Sequence, residues 1–312
     1  IIIFDSSVRI STHDPNALYF EDFIKMGEGL PRQSEVDNLS KLTKDDDICN
    51  ILYTSGTTGE SKGVVLTYGQ YQAAFIANDK CVPVGEKDKV MDFLPFTHIF
   101  ERGWAYLALT EGAQLIINTY PKEIQESLVQ THPTCMSSVP RFWEKVYAKV
   151  KETIDEANPV QRKIFQHALA VGKKYNVDYK GRGKRPPLAL AIEYQVINKS
   201  ILSLVRKQLG LEHPNIFPTA GATVSPEVEE FVHSIGIGMI VGYGMTETLA
   251  TVTCDHLNEG YTIGSVGRPI SSIDIKIGEN NEILLKGPTV TRGYYNRPVT
   301  KIYFAIFQNS ST

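Results

Sequence analysis

The sequence predicts an α/β protein of mostly parallel sheets packed with helices, with a small β-rich subdomain at its C-terminal end. Three observations carry the prediction. Short apolar runs alternate with helically spaced segments over residues 48–137 and again over 215–241, as in a parallel sheet covered by helices. Between them, over 141–209, apolar residues recur every three or four positions, the mark of amphipathic helices. After residue 263, two alternating strands, Ile273 to Ile277 and Glu282 to Lys286, follow one another closely. On this pattern 1–262 is a large α/β domain with a helical insertion at about 141–209, 263–298 is the β-rich subdomain, and 299–312 is a divergent tail.

Taken in order, Ile1 to Asp5 reads as a strand already in progress, and the first residue is not methionine. The true start is therefore expected to lie outside this sequence, and no signal peptide is visible. Asp5 to Asp47 is polar and weakly patterned. It closes on the acidic run Lys44-Asp45-Asp46-Asp47, read as a solvated turn. Ile48 to Leu52 and Val64 to Leu66 are strands around a polar loop. Tyr68 to Asn78 has helical spacing, Lys89 to Leu94 is a strand, and an apolar helix covers Trp104 to Leu109. Ala113 to Ile117, Ile124 to Val129 and Cys135 to Ser137 continue as strand, helix and strand.

Phe142, Val146, Val150 and Ile154 step by four; Val160 to Tyr175 keeps a three-to-four spacing; Ile197, Ile201, Val205 and Leu209 step by four again. These are three helices, interrupted by the basic loop Lys180 to Pro187. Asn215 to Ala220 is a strand. Ser225-Pro226-Glu227 opens a helix, with serine as N-cap and proline in the first turn. Met239 to Val241 leads into Gly242-Tyr243-Gly244-Met245-Thr246-Glu247.

Composition narrows the function classes. Of 312 residues 42% are apolar and 21% charged, and the formal charge is −3. This is ordinary globular composition, with no electrostatic case for nucleic acid. No apolar run is expected to approach membrane-spanning length, so the chain is not expected to cross a bilayer. Cys49, Cys81, Cys135 and Cys254 are far apart, and the seven histidines show no ligand spacing. That argues for a reducing compartment and against a disulfide framework or a zinc site.

The chemistry concentrates in two loops. Tyr53-Thr54-Ser55-Gly56-Thr57-Thr58-Gly59-Glu60-Ser61-Lys62-Gly63 holds three glycines, five hydroxyls and a lysine. Glycines let backbone N–H groups approach a ligand, hydroxyls add donors, and lysine adds a point charge. Together these equip a polyphosphate cradle. The bland reading is a hairpin turn. It is not a Walker A loop, because no Gly-Lys-Ser/Thr follows a four-residue gap. The second loop alone is a strand-to-loop turn bearing an acid.

Together, at about 180 residues' separation, the two loops resemble the signature motifs of the adenylate-forming, AMP-binding superfamily. The resemblance runs from about Ile48 to Pro298. It implies the large-domain fold of acyl-CoA synthetases, with ATP and CoA as co-substrates and Mg²⁺ as cofactor. It places Ser55, Gly56, Thr57, Thr58, Gly59 and Lys62 on the β- and γ-phosphates, and counts Lys62, His98, Thr246 and Glu247 as the catalytic residues. Tyr243 and Gly244 would lie against adenine, and Thr246 would contact the α-phosphate and the substrate carboxylate. Glu247 would ligate the metal, in keeping with the oxygen ligands that Mg²⁺ prefers; as a bland alternative it is a surface carboxylate. Thr219-Ala220-Gly221-Ala222 resembles the adenine-pocket turn, and Gly221 and Ala222 are carried over. His98 matches a position beside the acyl carboxylate. Acid–base work is not required of it, because a carboxylate nucleophile is already ionised. Trp104 borders the acyl pocket or is ordinary core, and Arg268 is unassigned.

The Phe-Thr-His-Ile-Phe-Glu-Arg context of His98, Pro140 to Val146 and the helical insertion resemble the long-chain fatty acyl-CoA synthetase branch. The expected function is ATP-dependent ligation of a long-chain fatty acid to CoA through acyl-AMP. Localisation is expected to be cytoplasmic, with peripheral membrane contact and oligomeric state left open. An aryl- or amino-acid-activating relative and a non-catalytic nucleotide- or acyl-binding remnant stay as alternatives. The family's ribose-binding aspartate and lysine-bearing C-terminal domain have no counterpart after Pro298, so impaired activity is expected of this chain.

Overall fold

In a computed structural model of the chain, residues 1–11, 16–54 and 60–297 are described. The chain divides into two compact units, Ile1–Lys44 and Asp45–Thr312. In the first, β1 (Ile2–Ile3) runs parallel to β2 (Leu18–Tyr19), followed by α1 (Phe20–Gly27) and α2 (Gln33–Leu42). The sequence reading left this stretch without helices. Phe20, Phe23 and Ile24 do recur at helical spacing in α1, but the stretch is short, and neither α1 nor α2 buries a residue.

The second unit starts with the hairpin β3 (Ile48–Thr54) and β4 (Lys62–Thr67), antiparallel with Thr54 opposite Lys62. Thr67 then caps α3 (Tyr68–Asp79): its Oγ1 accepts from the Gln70 N–H at 3.3 Å, and Gln70 Oε1 accepts from the Thr67 N–H at 2.8 Å. That reciprocal box satisfies two donors a helix start leaves open. The acidic turn before β3 is tied down. The carbonyls of Asp45 and Asp47 accept from Gly69 and Tyr68, and the Asp46 carboxylate pairs with Arg292.

The central sheet follows. β5 (Lys89–Asp92) lies between β6 (Gln114–Ile117) and β7 (Cys135–Met136), all parallel, with α4 (Ile99–Thr110) and α5 (Ile124–Thr131) as crossovers. After α6 (Pro140–Glu156), α7 (Pro159–Lys173), α8 (Leu188–Ile197) and α9 (Ser203–Gln208), the chain returns as β8 (Phe217–Thr219). Parallel bridges Cys135–Ile216 and Ser138–Thr219 attach β8 to β7. α10 (Pro226–Ser234) is capped by Ser225 Oγ, as its sequence foretold. β9 (Met239–Tyr243) is parallel to β8. The two-residue strands β10 (Thr253–Cys254) and β11 (Arg268–Pro269) add antiparallel edges. β12 (Asp274–Ile277) and β13 (Ile283–Lys286) form an antiparallel pair.

Strand alternation divides the core in two. Val90, Cys135, Ile216 and Ile240 pack with Trp104, Leu107, Ile270 and Ile273 on one face. Met91, Met136, Phe217, Met239 and Val241 pack with Trp143, Val228 and Phe231 on the other. The domain is thus helix, sheet, helix in layers, with its C-terminal residues sharing the first core.

The helical segment departs from the sequence reading in one respect. The π-helical stretches Lys174–Lys180 and Asn198–Leu202 interrupt regular α geometry, and the second joins α8 to α9. The resulting helix, Leu188–Gln208, has 21 residues and a mean hydropathy of 1.3 in its most apolar window, enough by length and composition to cross a membrane. The expectation that nothing here reaches that length is corrected. Glu193, Asn198, Lys199 and Ser200 interrupt the apolar run without lowering its average enough. Leu190, Tyr194, Ile197 and Leu202 pack on Ala168 and Val171 of α7, while Leu188, Ile192, Val196 and Leu204 are exposed.

Candidate active site

A cavity of about 220 Å³ opens at the carboxyl ends of β8 and β9. Crevices outside the carboxyl ends of parallel strands are where open α/β sheets bind ligands. Its walls include His98, Gly221, Tyr243, Gly244 and Thr246, five of the residues singled out from sequence. They come from three separate elements: the N-cap of α4, the turn after β8, and the turn after β9.

The turn after β9 is rigid. Thr246–Thr248 is a single 3₁₀ turn, and the wholly buried Thr248 closes it by exchanging hydrogen bonds with the backbone of Met245. Leu249 and Ala250 follow with φ of 53° and 74°, a left-handed geometry that L side chains adopt at a cost. The cost is met by close backbone pairing: Ala250 N–H donates to the Met245 carbonyl and Val252 N–H to the Tyr243 carbonyl. A Cβ on Gly244 would stand 1.2 Å from the Ala250 carbonyl oxygen, so only glycine lets the two limbs touch. Tyr243 is half-buried at the cavity wall. Burial first, and the Glu247 charge second, raise its pKa above the usual phenol range.

Lys62 and Glu247 meet through a residue that the sequence reading quoted but gave no role. The Tyr294 hydroxyl donates to Glu247 Oε1 at 2.9 Å, and Lys62 Nζ lies 5.5 Å from the centroid of the Tyr294 ring. Burial and the Glu247 carboxylate both push the Tyr294 hydroxyl upward from the usual phenol range, so it remains a proton donor. The segment carrying it is stitched to both partners. Val65 N–H donates to the Gly293 carbonyl, Tyr295 N–H to the Gly63 carbonyl, and Thr291 N–H to the Glu247 carbonyl. Thr291 Oγ1 adds a bond to the Val65 carbonyl at 2.7 Å.

His98 is exposed, and its side chain does not cap α4. The loop that presents it is anchored by Glu101, which the sequence reading passed over. Glu101 is wholly buried; its Oε1 accepts from the N–H groups of Phe93 and Leu94 at 2.7 and 3.0 Å, and its Oε2 from the Ser137 hydroxyl. Asp92 is buried beside it and is pushed up to about 8, by burial first and the Glu101 charge second. An acid three residues before Trp104 on α4 was the available signal, but only burial reveals its role.

Other expectations sort plainly. Gly221 has φ of 90° and lines the cavity; Ala222 is exposed and does not line it. Arg268 pairs with Glu259 at 3.1 Å. Trp104 is buried in the core and also borders a smaller neighbouring cavity of about 50 Å³. Ser55, Gly56, Thr57, Thr58 and Gly59 lie outside the described residues, as does Pro298. The residues that flank the loop, Thr54 and Lys62, are opposite each other in the hairpin.

For Mg²⁺ the donor set fits. The Glu247 carboxylate, with the Thr246 hydroxyl beside it in the chain, offers the hard oxygen ligands this ion takes, and its Oε1 is held by a neutral donor.

A cavity at the carboxyl edge of a layered α/β domain, walled by glycine-containing turns and neighboured through Thr246 by the Glu247 carboxylate, is the setting of a nucleotide-binding class of enzyme domain. The family model for AMP-binding enzymes matches residues 8–295, and the chain belongs to that family. A putative fatty-acid–CoA ligase of Mycobacterium tuberculosis is 31% identical over 261 residues, covering 83% of this chain and 45% of the relative. A long-chain-fatty-acid–CoA ligase of Xenopus laevis is 31% identical over 296 residues, covering 90% and 39%. Long chain acyl-CoA synthetase 1 of Arabidopsis thaliana is 30% identical, covering 89% and 43%. The chain thus spans less than half the length of these curated relatives. Among solved structures, O-succinylbenzoate CoA synthetase of Bacillus subtilis in complex with ATP and magnesium aligns with a TM-score of 0.55 at 20% identity, covering 82% of this chain and 44% of that one. The N-terminal domain of FACL13 of Mycobacterium tuberculosis aligns with a TM-score of 0.55 at 20% identity, covering 83% and 54%. These two likenesses bear on the fold.

Proposed function

We propose that this chain carries the nucleotide and acyl site of an ATP-dependent long-chain fatty acid–CoA ligase. The observation that carries the reading is the convergence of Lys62 and Glu247 on Tyr294, beside a cavity walled by Tyr243, Thr246, Gly221 and His98. The names of the relatives support the fatty acid as substrate class. On this reading the Tyr243 ring is the platform for adenine, and the small Gly221 leaves backbone against the purine. Lys62, at the start of β4, follows directly on the Ser55–Gly59 loop and supplies positive charge to the leaving phosphates. Glu247 and Thr246 would hold Mg²⁺, which supplies charge neutralisation to the departing pyrophosphate. Thr246 orients the fatty carboxylate against the α-phosphate. Catalysis of this kind rests on positioning and electrostatics more than on proton transfer, and CoA thiol then displaces AMP from the acyl group. The setting, on this reading, is the reducing cytoplasm.

The test is Glu247→Gln in a protein spanning the full length of its relatives. ATP–pyrophosphate exchange driven by a long-chain fatty acid should fall by about a hundredfold or more with the melting temperature unchanged. Exchange at the wild-type level would overturn the metal assignment. Exchange driven better by an aryl or amino acid than by palmitate would overturn the substrate class.

A further inference from the structure

Two cysteines and a histidine that are remote in the chain meet behind the cavity. Cys81 follows the C-terminal end of α3, Cys254 sits on β10, and His256 is two residues further on. The two Sγ atoms and a ring nitrogen of His256 all lie within 4.8 Å of one another. Both cysteines are buried and neither is in a disulfide. His256 Nε2 is buried with no hydrogen-bond partner among the described residues, whereas Nδ1 lies 4.0 Å from the Glu259 carboxylate. A buried polar nitrogen left unpaired is costly, and its position is unexplained by packing.

We propose that Cys81, Cys254 and His256 form a binding site for a thiophilic divalent metal ion, with Zn²⁺ as its chemical match. Two sulfurs and an imidazole nitrogen are a zinc donor set, unlike the oxygen donors around Glu247. Tetrahedral zinc would place such donors roughly 3.5–3.8 Å apart, so the three need close by no more than about 1 Å. A ligating histidine commonly turns its other ring nitrogen to a carboxylate, and the Glu259 carboxylate stands 4.0 Å from His256 Nδ1, just outside hydrogen-bond reach. A second cavity of about 200 Å³, lined by Lys80, Cys81, Asn215, His256 and Glu259, gives an ion access to two of the three ligands and leaves room for water as the fourth. Cys81 Sγ now lies 3.4 Å from the Asn78 carbonyl, a weak contact that a metal bond would replace. Loading displaces the thiol protons to solvent, so zinc binding should tighten as pH rises.

The site would share a wall with the nucleotide cavity. Cys254 pairs with Gly242 of β9 and lines the cavity together with Asn78 and Val82. A metal there clamps the end of α3 to the wall opposite.

The chain, purified reduced and stripped with a chelator, is titrated with Zn²⁺ against a chromophoric competitor, and separately with Co²⁺. One equivalent should bind, Co²⁺ should give thiolate-to-metal charge-transfer absorption, and zinc should raise the melting temperature. His256→Ala lies at a partly exposed position and should fold, as checked by circular dichroism. It and Cys81→Ser should each weaken zinc binding by more than the roughly 10–100-fold that loss of an outer partner costs, and abolish the thermal shift. No thiolate absorption, zinc binding undiminished in His256→Ala, or a Cys81–Cys254 disulfide in place of metal binding would each overturn the proposal.

Discussion

The carboxyl edge of the sheet and the helical layer of α6, α7 and α10 hold their shapes by opposite means. At the edge, Gly244, Leu249 and Ala250 are in close or left-handed backbone contact, and hydrogen bonds join groups far apart in the chain, as between Gly63 and Tyr295, 232 positions apart. In the helical layer, Trp143, Val228, Phe231 and Val232 are buried side chains in regular helices. Strain is tolerated where ligand geometry is set and avoided where apolar burial supplies stability, which is how local strain is distributed in folded proteins generally.

The comparison can be broken, the largest effect first. Gly244→Ala forces a Cβ onto the Ala250 carbonyl and should cost more than about 4 kcal/mol. A urea midpoint close to wild type would show that the edge is more pliant than described. Trp143→Ala removes a wholly buried ring whose Nε1 donates to Ser138 Oγ at 2.8 Å. It should cost about 3–5 kcal/mol in the same assay, and a loss under about 1 kcal/mol would deny the helical layer its share.

Acid should attack the helical side through His233. This residue of α10 is buried, stacked on Tyr261 at 4.1 Å, and held down to about 3 by burial alone. The unfolded chain takes up the proton below its ordinary value near 6.5 while the folded chain does not. The contribution is thus intact above that pH and is lost as pH falls toward 3. By pH 5 the loss is about 2 kcal/mol. His233→Leu should remove that part of the slope between pH 7 and 5, measured as the difference in unfolding free energy from wild type. The smallest effect sharpens the edge: Ala250→Gly should gain about 1 kcal/mol by relieving left-handed strain. Destabilisation instead would mean that the methyl group packs more than its φ costs.

Legibility in the sequence follows the same divide. The four-residue step from Phe142 to Ile154 announced α6, and Ser225-Pro226 announced α10, because packing on a face and capping are local in sequence. The two-residue strands β10 and β11 were too short to carry a period. The helices of the first unit bury nothing, and the π-helical stretches break the 3.6-residue repeat. Within the candidate site, Tyr243, Thr246 and Glu247 were legible as a contiguous motif and His98 as part of another. Tyr294, Glu101 and the Cys81–Cys254–His256 group were not, since their meaning depends on what burial and long-range pairing bring beside them. The cysteine spacing gave no sign of that grouping, because spacing rules see residues on one loop and these come from segments 173 positions apart.

The stitching of residues 291–295 along β4 also bears on how the protein is made. A ribosome must release some 230 further residues after Val64 before Tyr294 can pair with it. Until then one margin of the hairpin offers unpaired amide and carbonyl groups, a template for adventitious strand addition. The nascent chain therefore passes through a long interval in which its most chemically committed border is also its stickiest, and chaperone protection should matter most during that interval.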